Sequence, residues 1–258
     1  MSMAVTVANK SPDELRIKTD FHVHTISSGH GFSTVREICK EAAARGLEMI
    51  AVTDHGPAMP GGAHIYYFTN MVVMPRVLSG VKVLRGAECN IIDTDGTLDL
   101  HDRALDSLDI VHAGIHPLTG YEGNSVEDNT RAVLAVVESG KVDVLAHPGN
   151  PLYPLNYGAV VRAAASKGVL IEINNSSLTY IRKGSLDNCR VILDEAKKAD
   201  ACVCIGSDAH DASLVGIFDH ALNLVDEVGL PDERIVNRDA SSLLEFFSLR
   251  GKKEILFQ

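Results

Sequence analysis

Seven apolar runs of strand length punctuate the chain: 17–22, 48–53, 82–87, 108–114, 142–146, 169–173 and 201–206. Between them lie segments whose apolar positions recur at helical spacing, predicting helices over 34–45, 69–78, 129–139, 157–166, 187–198, 214–228 and 241–249. Several boundaries carry physical markers. Ser33 or Thr34 can cap the first helix with Glu37 as its capping-box partner. Gly46, Gly140, Gly168 and Gly229 stand where a helix needs a left-handed residue to end. Strand and helix alternating at this interval imply parallel strands joined by right-handed crossovers, and seven such units suit a closed or nearly closed barrel better than an open sheet. No Gly/Pro/Ser-rich linker interrupts the pattern, so one domain is expected over 1–258, with 1–15 and 251–258 as peripheral tails.

The polar residues at the ends of these runs change the picture. His22 and His24 end the first strand, Asp54 and His55 the second, and Glu88 the third. His116 follows the fourth, His147 ends the fifth, Asn174 the sixth, and Asp208 and His210 the seventh. In a parallel barrel these carboxyl ends meet on one rim, where such folds carry their chemistry. On a strand, residues i and i+2 share a face, so the imidazoles of His22-Val23-His24 can grip one ion. An isolated His-x-His is a weak signal; here Asp20 precedes it and His30 follows in the Gly-rich loop Ser27-Ser28-Gly29-His30-Gly31. Thr53-Asp54-His55-Gly56 alone would read as an ordinary turn, but its place at a strand end makes His55 a ligand candidate and Asp54 a group that holds an imidazole tautomer. Glu88, at the end of a buried strand, needs a neutralising partner, either Arg85 or metal ions. His116-Pro117 and His147-Pro148 place each histidine in the extended geometry that proline imposes on its predecessor. Asp208 and His210 are spaced to serve neighbouring ions. His64, His101, His112 and His220 lack this placement and are read as surface or core residues.

Composition narrows the function. The chain has 258 residues, 45% hydrophobic, enough for one sizeable core. Its formal net charge of −10 comes without a basic cluster, and aromatic residues are only 5% with no Trp. That argues against duplex nucleic acid and against a base-stacking platform. Five cysteines without CxxC spacing read as reduced thiols in a cytoplasmic protein. Residues 1–18 lack a signal-peptide apolar region, and no stretch approaches a membrane span.

These motifs resemble the PHP superfamily of polymerase and histidinol phosphatases, from Asp20-Phe21-His22-Val23-His24-Thr25 to Ser207-Asp208-Ala209-His210. The segments 145–151, 172–177 and 182–189 are similar to the stand-alone bacterial, YcdX-like phosphatase branch. The resemblance implies a distorted (β/α)7 TIM-like barrel and a trinuclear site of divalent ions, usually zinc, although imidazole and carboxylate ligands also suit manganese, iron or cobalt. It implies that His22 and His24 hold a first ion with Glu88 and Asp208. Glu88 bridges to a second, completed by His116 and His147, and His30, His55 and His210 hold a third. The reaction expected is hydrolysis of a small phosphomonoester by a metal-bridging hydroxide, with Glu88, Asp208 and His210 as catalytic residues. Arg182, Lys183, Asn150 and Asn174 are the candidates for substrate binding. A nuclease using the same site, and a non-enzymatic metal-binding module, are the rival readings. The sequence leaves homo-oligomerisation open.

Overall fold

A computed structural model describes residues 16–123, 125–252 and 254–257; the expected tail over 1–15 lies outside them. Seven parallel strands form a nearly closed barrel: β1 (Thr19–Val23), β2 (Met49–Val52), β4 (Val81–Asn90), β5 (Ile110–Gly114), β6 (Val144–Leu145), β7 (Leu170–Asn174) and β8 (Val203–Gly206), in that order round the sheet. A two-residue strand, β3 (Val77–Leu78), pairs antiparallel on β4. Helices α1 (Val35–Ala44), α4 (Val126–Glu138), α5 (Tyr157–Lys167), α6 (Ser185–Ala199) and α7 (Asp219–Val228) follow strands in the expected alternation, with short helices α2 (Ile65–Asn70) and α3 (Asp102–Leu105) between β2 and β5. The capping box at α1 forms, between Thr34 and Glu37. Among the described residues, no helix is long and apolar enough to cross a membrane.

Two expected helices are corrected. The segment 69–78 is not one helix: α2 starts earlier, capped by His64, and gives way to a 3-10 turn and then to β3. Pro75 explains the break, because proline removes a donor and pushes its predecessor out of the helical region; Met74 is extended. The segment 214–228 becomes helical only at Asp219, after Gly216 takes a left-handed conformation.

The core has two parts. The larger packs the helices against the outer face of the strands. The smaller fills the lower barrel with Phe21, Met49, Ala51, Leu84, Ile110, Val144, Leu170 and Cys204, closed from below by Leu243 and Phe247 of α8 (Ala240–Leu249). Ile255 and Phe257 pack against this cluster.

The seam between β1 and β8 is joined at the rim by a parallel bridge between Val23 and Ala209, and below it by Asn237. Its side-chain amide donates to the Thr19 and Ile205 carbonyls at 2.9 and 2.7 Å, and its oxygen accepts the Ile205 N–H at 2.9 Å. One side chain thus satisfies backbone groups that a strand ladder would otherwise pair.

Candidate metal centre

Period-2 alternation carries the inward face of each strand from the apolar lower core to a polar rim. On β4 the inward series is Leu84, Gly86, Glu88; on β5 it is Ile110, His112, Gly114; on β7 it is Leu170, Glu172, Asn174. β1 needs a correction to this rhythm. Its register against β2 shifts between Asp20 and Val23, so Phe21 joins the inner apolar cluster while His22 and His24 still face the interior. Bulge-like irregularities of this kind re-aim side chains next to functional sites.

The result is a buried cluster centred on Glu88. Glu88 Oε1 lies 3.0 Å from His116 Nε2 and 2.8 Å from His147 Nε2, which are 3.1 Å from each other. Glu88 Oε2 lies 3.0 Å from His55 Nδ1, 3.2 Å from His22 Nε2 and 3.3 Å from His24 Nε2. Asp208 Oδ1 approaches His24 Nε2 at 3.3 Å and His22 Nε2 at 3.6 Å. Each oxygen of one carboxylate therefore serves its own set of imidazoles. His147 and Asp208 have φ of 32° and 56°, so His147 is not in the extended geometry expected before Pro148; non-glycine residues hold this left-handed conformation only where the surroundings impose it.

The groups behind the cluster decide its chemistry. His22 Nδ1 is 2.8 Å from Glu172 Oε1. A carboxylate only accepts here, so Nδ1 carries a hydrogen, and in the neutral ring Nε2 is the bare lone pair. That lone pair is 3.0 Å from His24 Nε2 and faces two carboxylate oxygens. Glu88 Oε2, His55 Nδ1 and His116 Nδ1 are buried without a hydrogen-bond partner. An arrangement of acceptors facing acceptors is repulsive unless a cation sits among them, so these residues fit divalent metal ions.

The electrostatics agree. Burial alone would raise the carboxyls of Glu88 and Asp208, yet both are held well below the ordinary range, Glu88 by His22 and His116 and Asp208 by His22 and Arg182. Burial would lower His22, yet Glu172, Glu88 and Asp208 together pull it upward, so the cluster draws positive charge. Burial keeps His55 and His147 low, and His210 is pushed down to about 4, which leaves them as neutral imidazoles able to ligate.

Of the nine expected ligands, three sets have donor atoms within 4.8 Å of one another: His22, His24 and Asp208; His55, Glu88 and His116; and His24, His55 and His210. His147 joins through Glu88 and His116. His30 lies outside these sets, but its ring stacks on His55 and His210 at 5.1 and 4.8 Å between centroids.

The expected substrate residues divide. Arg182 Nη1 donates to Asp208 Oδ2 at 3.0 Å and to Ser177 Oγ at 2.8 Å, and it is mostly buried. Lys183 is exposed and makes no hydrogen bond or ion pair among the described residues. Asn150 accepts the Leu152 N–H in its own turn. Asn174 donates to Glu172 at 3.2 Å and accepts from Ser177 and Arg182. His64 and His101 cap α2 and α3. His112 is buried with its ring 5.1 Å from that of His22.

Sequence reasoning missed Glu172 as a working residue. It accepts from His22 Nδ1, from the His147 N–H at 2.8 Å and from Asn174. Its signal was a single carboxylate between Leu170-Ile171 and Ile173 in a strand buried on both faces.

A family model described as PHP domain matches residues 20–199. A probable phosphatase of Syntrophotalea carbinolica is 46% identical over 235 residues, covering 91% of this chain and 98% of the relative. A probable phosphatase of Caldanaerobacter subterraneus is 43% identical, covering 93% and 94%. Among solved structures, a histidinol phosphate phosphatase from Lactococcus lactis, complexed with zinc, L-histidinol and phosphate, aligns at a TM-score of 0.56 and 18% identity, over 83% of this chain and 94% of that one. An archaeal ribonuclease P structure aligns at a TM-score of 0.55 and 16% identity, over 92% and 96%. At these identities the structural likeness concerns the fold.

Proposed function

This chain belongs to the PHP domain family, and from that premise we propose that it is a metal-dependent phosphatase acting on a small phosphomonoester. The observation that carries the reading is the convergence of bare imidazole nitrogens and two carboxylates on one buried point, with Glu88 serving a separate donor set through each oxygen. The relatives' names supply the reaction class.

We assign His22, His24, Glu88 and Asp208 to one divalent ion, Glu88, His116 and His147 to a second, and His30, His55 and His210 to a third, with zinc the leading identity. Ions bound there would supply an activated water and neutralisation of phosphate charge. The chain supplies the rest. Glu172 holds His22 in the ligating tautomer, and the Asp208 carbonyl accepts from His210 Nδ1 at 3.0 Å, leaving Nε2 of that ring free. Arg182 lies against Asp208 and brings a fixed positive charge to the rim. Its guanidinium is held charged because Asp208 and Glu88 outweigh the effect of burial. In this reading it orients a phosphate oxygen and steadies Asp208.

The test is a panel of sugar phosphates, aryl phosphates, nucleotides and short RNA, assayed on metal-stripped protein to which zinc, manganese, iron or cobalt is restored in turn. Turnover of phosphomonoesters that vanishes on stripping and returns with metal supports the reading. Turnover confined to RNA or oligonucleotides would assign a nuclease instead. Wild-type turnover by the stripped protein would overturn the metal-dependent mechanism.

A further inference from the structure

We infer that Tyr67, acting through Asp54 and Ser28, fixes which ring nitrogen His24 presents to the metal cluster, making all three positioning residues. The inference rests on the reading of His24 as a ligand and concerns groups behind it.

The argument is a count of hydrogens. Ser28 Oγ is buried among three partners: Asp54 Oδ1 at 2.6 Å, His24 Nδ1 at 2.9 Å and the His55 backbone N–H at 3.1 Å. A hydroxyl has one hydrogen to give and two lone pairs to receive with. The His55 N–H can only donate, so it takes one lone pair. The remaining question is whether Ser28 gives its hydrogen to Asp54 or to His24.

Asp54 settles that question by saturation. Its Oδ1 accepts the Thr25 N–H at 2.7 Å besides the Ser28 contact, and its Oδ2 receives the Thr25 hydroxyl at 2.8 Å and the Tyr67 hydroxyl at 2.5 Å. A carboxylate offers about four lone-pair sites, and four donor groups surround this one. A hydrogen on Asp54 would displace one of them, so Asp54 is a pure acceptor and Ser28 must donate to it. The second Ser28 lone pair is then left for His24, whose Nδ1 must carry the hydrogen. In the neutral ring that a metal ligand must be, Nε2 is then the bare nitrogen, and it is this atom that lies 3.3 Å from both Glu88 and Asp208.

Tyr67 is the member of this chain with no place in the ligand motifs. It reaches in from α2, on the crossover between β2 and β3, and fills the last lone-pair site of Asp54. Without its hydroxyl, Oδ2 loses its shortest contact, the carboxylate is free to turn, and Oδ1 is no longer held where Ser28 gives it its hydrogen. The loop bearing Ser28 has a further constraint: a Cβ at Gly29 would come within 2.3 Å of the Gly61 oxygen, so the hydroxyl is held where both histidines need it.

The test uses the full-length zinc-loaded chain with Tyr67→Phe, Ser28→Ala and, as an exposed neighbour control, Tyr66→Phe. Metal retention is measured by chelator competition, and the ring nitrogens of His24 are read by 15N NMR. Loss of a supporting partner behind a ligand histidine lowers metal affinity about 10–100-fold. Ser28→Ala is expected to fall in that range, Tyr67→Phe to shift in the same direction by less, and Tyr66→Phe to match wild type. In both active variants the His24 spectrum should lose its single Nδ1–H form. Should Ser28→Ala fail to fold, Tyr67→Phe decides, since it removes one oxygen and keeps the ring. Unchanged zinc retention with an unchanged His24 spectrum in Tyr67→Phe would overturn the inference. Wild-type protein that binds no metal would instead bring down the reading beneath it.

Discussion

Glu172→Gln is the most discriminating perturbation, because it keeps shape while removing one acceptor oxygen and the negative charge that faces His22. Glu172 Oε1 accepts from His22 Nδ1, while Oε2 accepts from the His147 N–H and from Asn174. A glutamine can place its oxygen at only one of these positions. If the oxygen stays with His147 and Asn174, the amide NH2 faces His22 Nδ1 and forces it to accept. The hydrogen of His22 then moves to Nε2, which points at Glu88 Oε2 3.2 Å away. That hydrogen finds an acceptor in the metal-free protein but blocks a metal ligand. The opposite orientation sets donor against donor at the His147 N–H, at a cost of about 1–3 kcal/mol, and is disfavoured. The two states therefore respond differently. Metal-free stability should change by no more than about 1 kcal/mol, the scale of one net hydrogen bond, while zinc affinity falls about 10–100-fold, roughly 1.4–2.8 kcal/mol at 1.4 per decade. The assay is thermal unfolding with and without zinc, alongside chelator competition. Wild-type zinc affinity in a folded Glu172→Gln protein would refute the tautomer argument. Equal destabilisation of the metal-free and zinc-loaded forms would reduce Glu172 to a structural role.

Three further outcomes are expected. Glu88→Gln should abolish turnover and lower bound metal while circular dichroism stays that of wild type; near-normal phosphatase activity in the folded variant would sink the bridging assignment. Gly206→Ala should cost about 1–3 kcal/mol of stability together with metal retention, because its Cβ would stand 2.2 Å from Glu172 Oε1 and 2.7 Å from His22 Cβ; urea denaturation and metal analysis read both, and a variant unaffected in either contradicts the packing. His112→Leu should flatten the acid limb of metal-free stability. Burial pushes His112 down to about 3, so between pH ~6.5 and 3 the unfolded chain takes up a proton that the native chain refuses. Stability is then full above ~6.5 and falls as the pH drops, by about 2 kcal/mol at pH 5. Urea midpoints at pH 7.5 and 5 should separate wild type from variant by that margin, and parallel losses would refute it.

The barrel was legible because each strand is a local event. A run such as Met49-Ile50-Ala51-Val52 followed by a polar pair announces its own type and end without reference to the rest of the chain. The helix expected over 69–78 failed on a local signal that was present, since Pro75 follows four apolar residues that read as helical. The seam at Asn237 was not legible at all. Its partners Thr19 and Ile205 are 218 and 32 residues away, and nothing in its neighbours distinguishes it from a loop asparagine. Part of the barrel's closure is thus carried by a residue that sequence reading assigns no function.

The metal centre divides along the same line, and the division has a geometric rule. The proposed ligands sit at or just past strand ends, where the backbone turns, with His30 in the loop after β1. The groups that orient them stand one step back on the inward face, two residues earlier in the chain. On β4, β7 and β8 that rule picks out Gly86, Glu172 and Gly206; on β5, where His116 stands beyond the strand, the inward polar position is His112, four residues earlier. Two of these are glycines, and each is needed for room: a Cβ on Gly206 would strike Glu172, and one on Gly86 would lie 2.8 Å from Ile110. The other two are buried polar residues against His22. A charged or polar residue in the middle of a strand buried on both faces is costly unless something nearby uses it, so Glu172 could have been chosen from its position alone once the rim was recognised. Ser28 and Tyr67 could not, and Asp54, expected to hold an imidazole tautomer, gave no sign of which ring or by what route. Their hydrogen bonds join a loop, a strand end and a crossover helix, and only the folded chain brings one carboxylate within reach of four donor groups. The residues proposed to bind metal are thus written locally, and those proposed to fix the orientation of its ligands are written partly two positions away and partly in the tertiary fold.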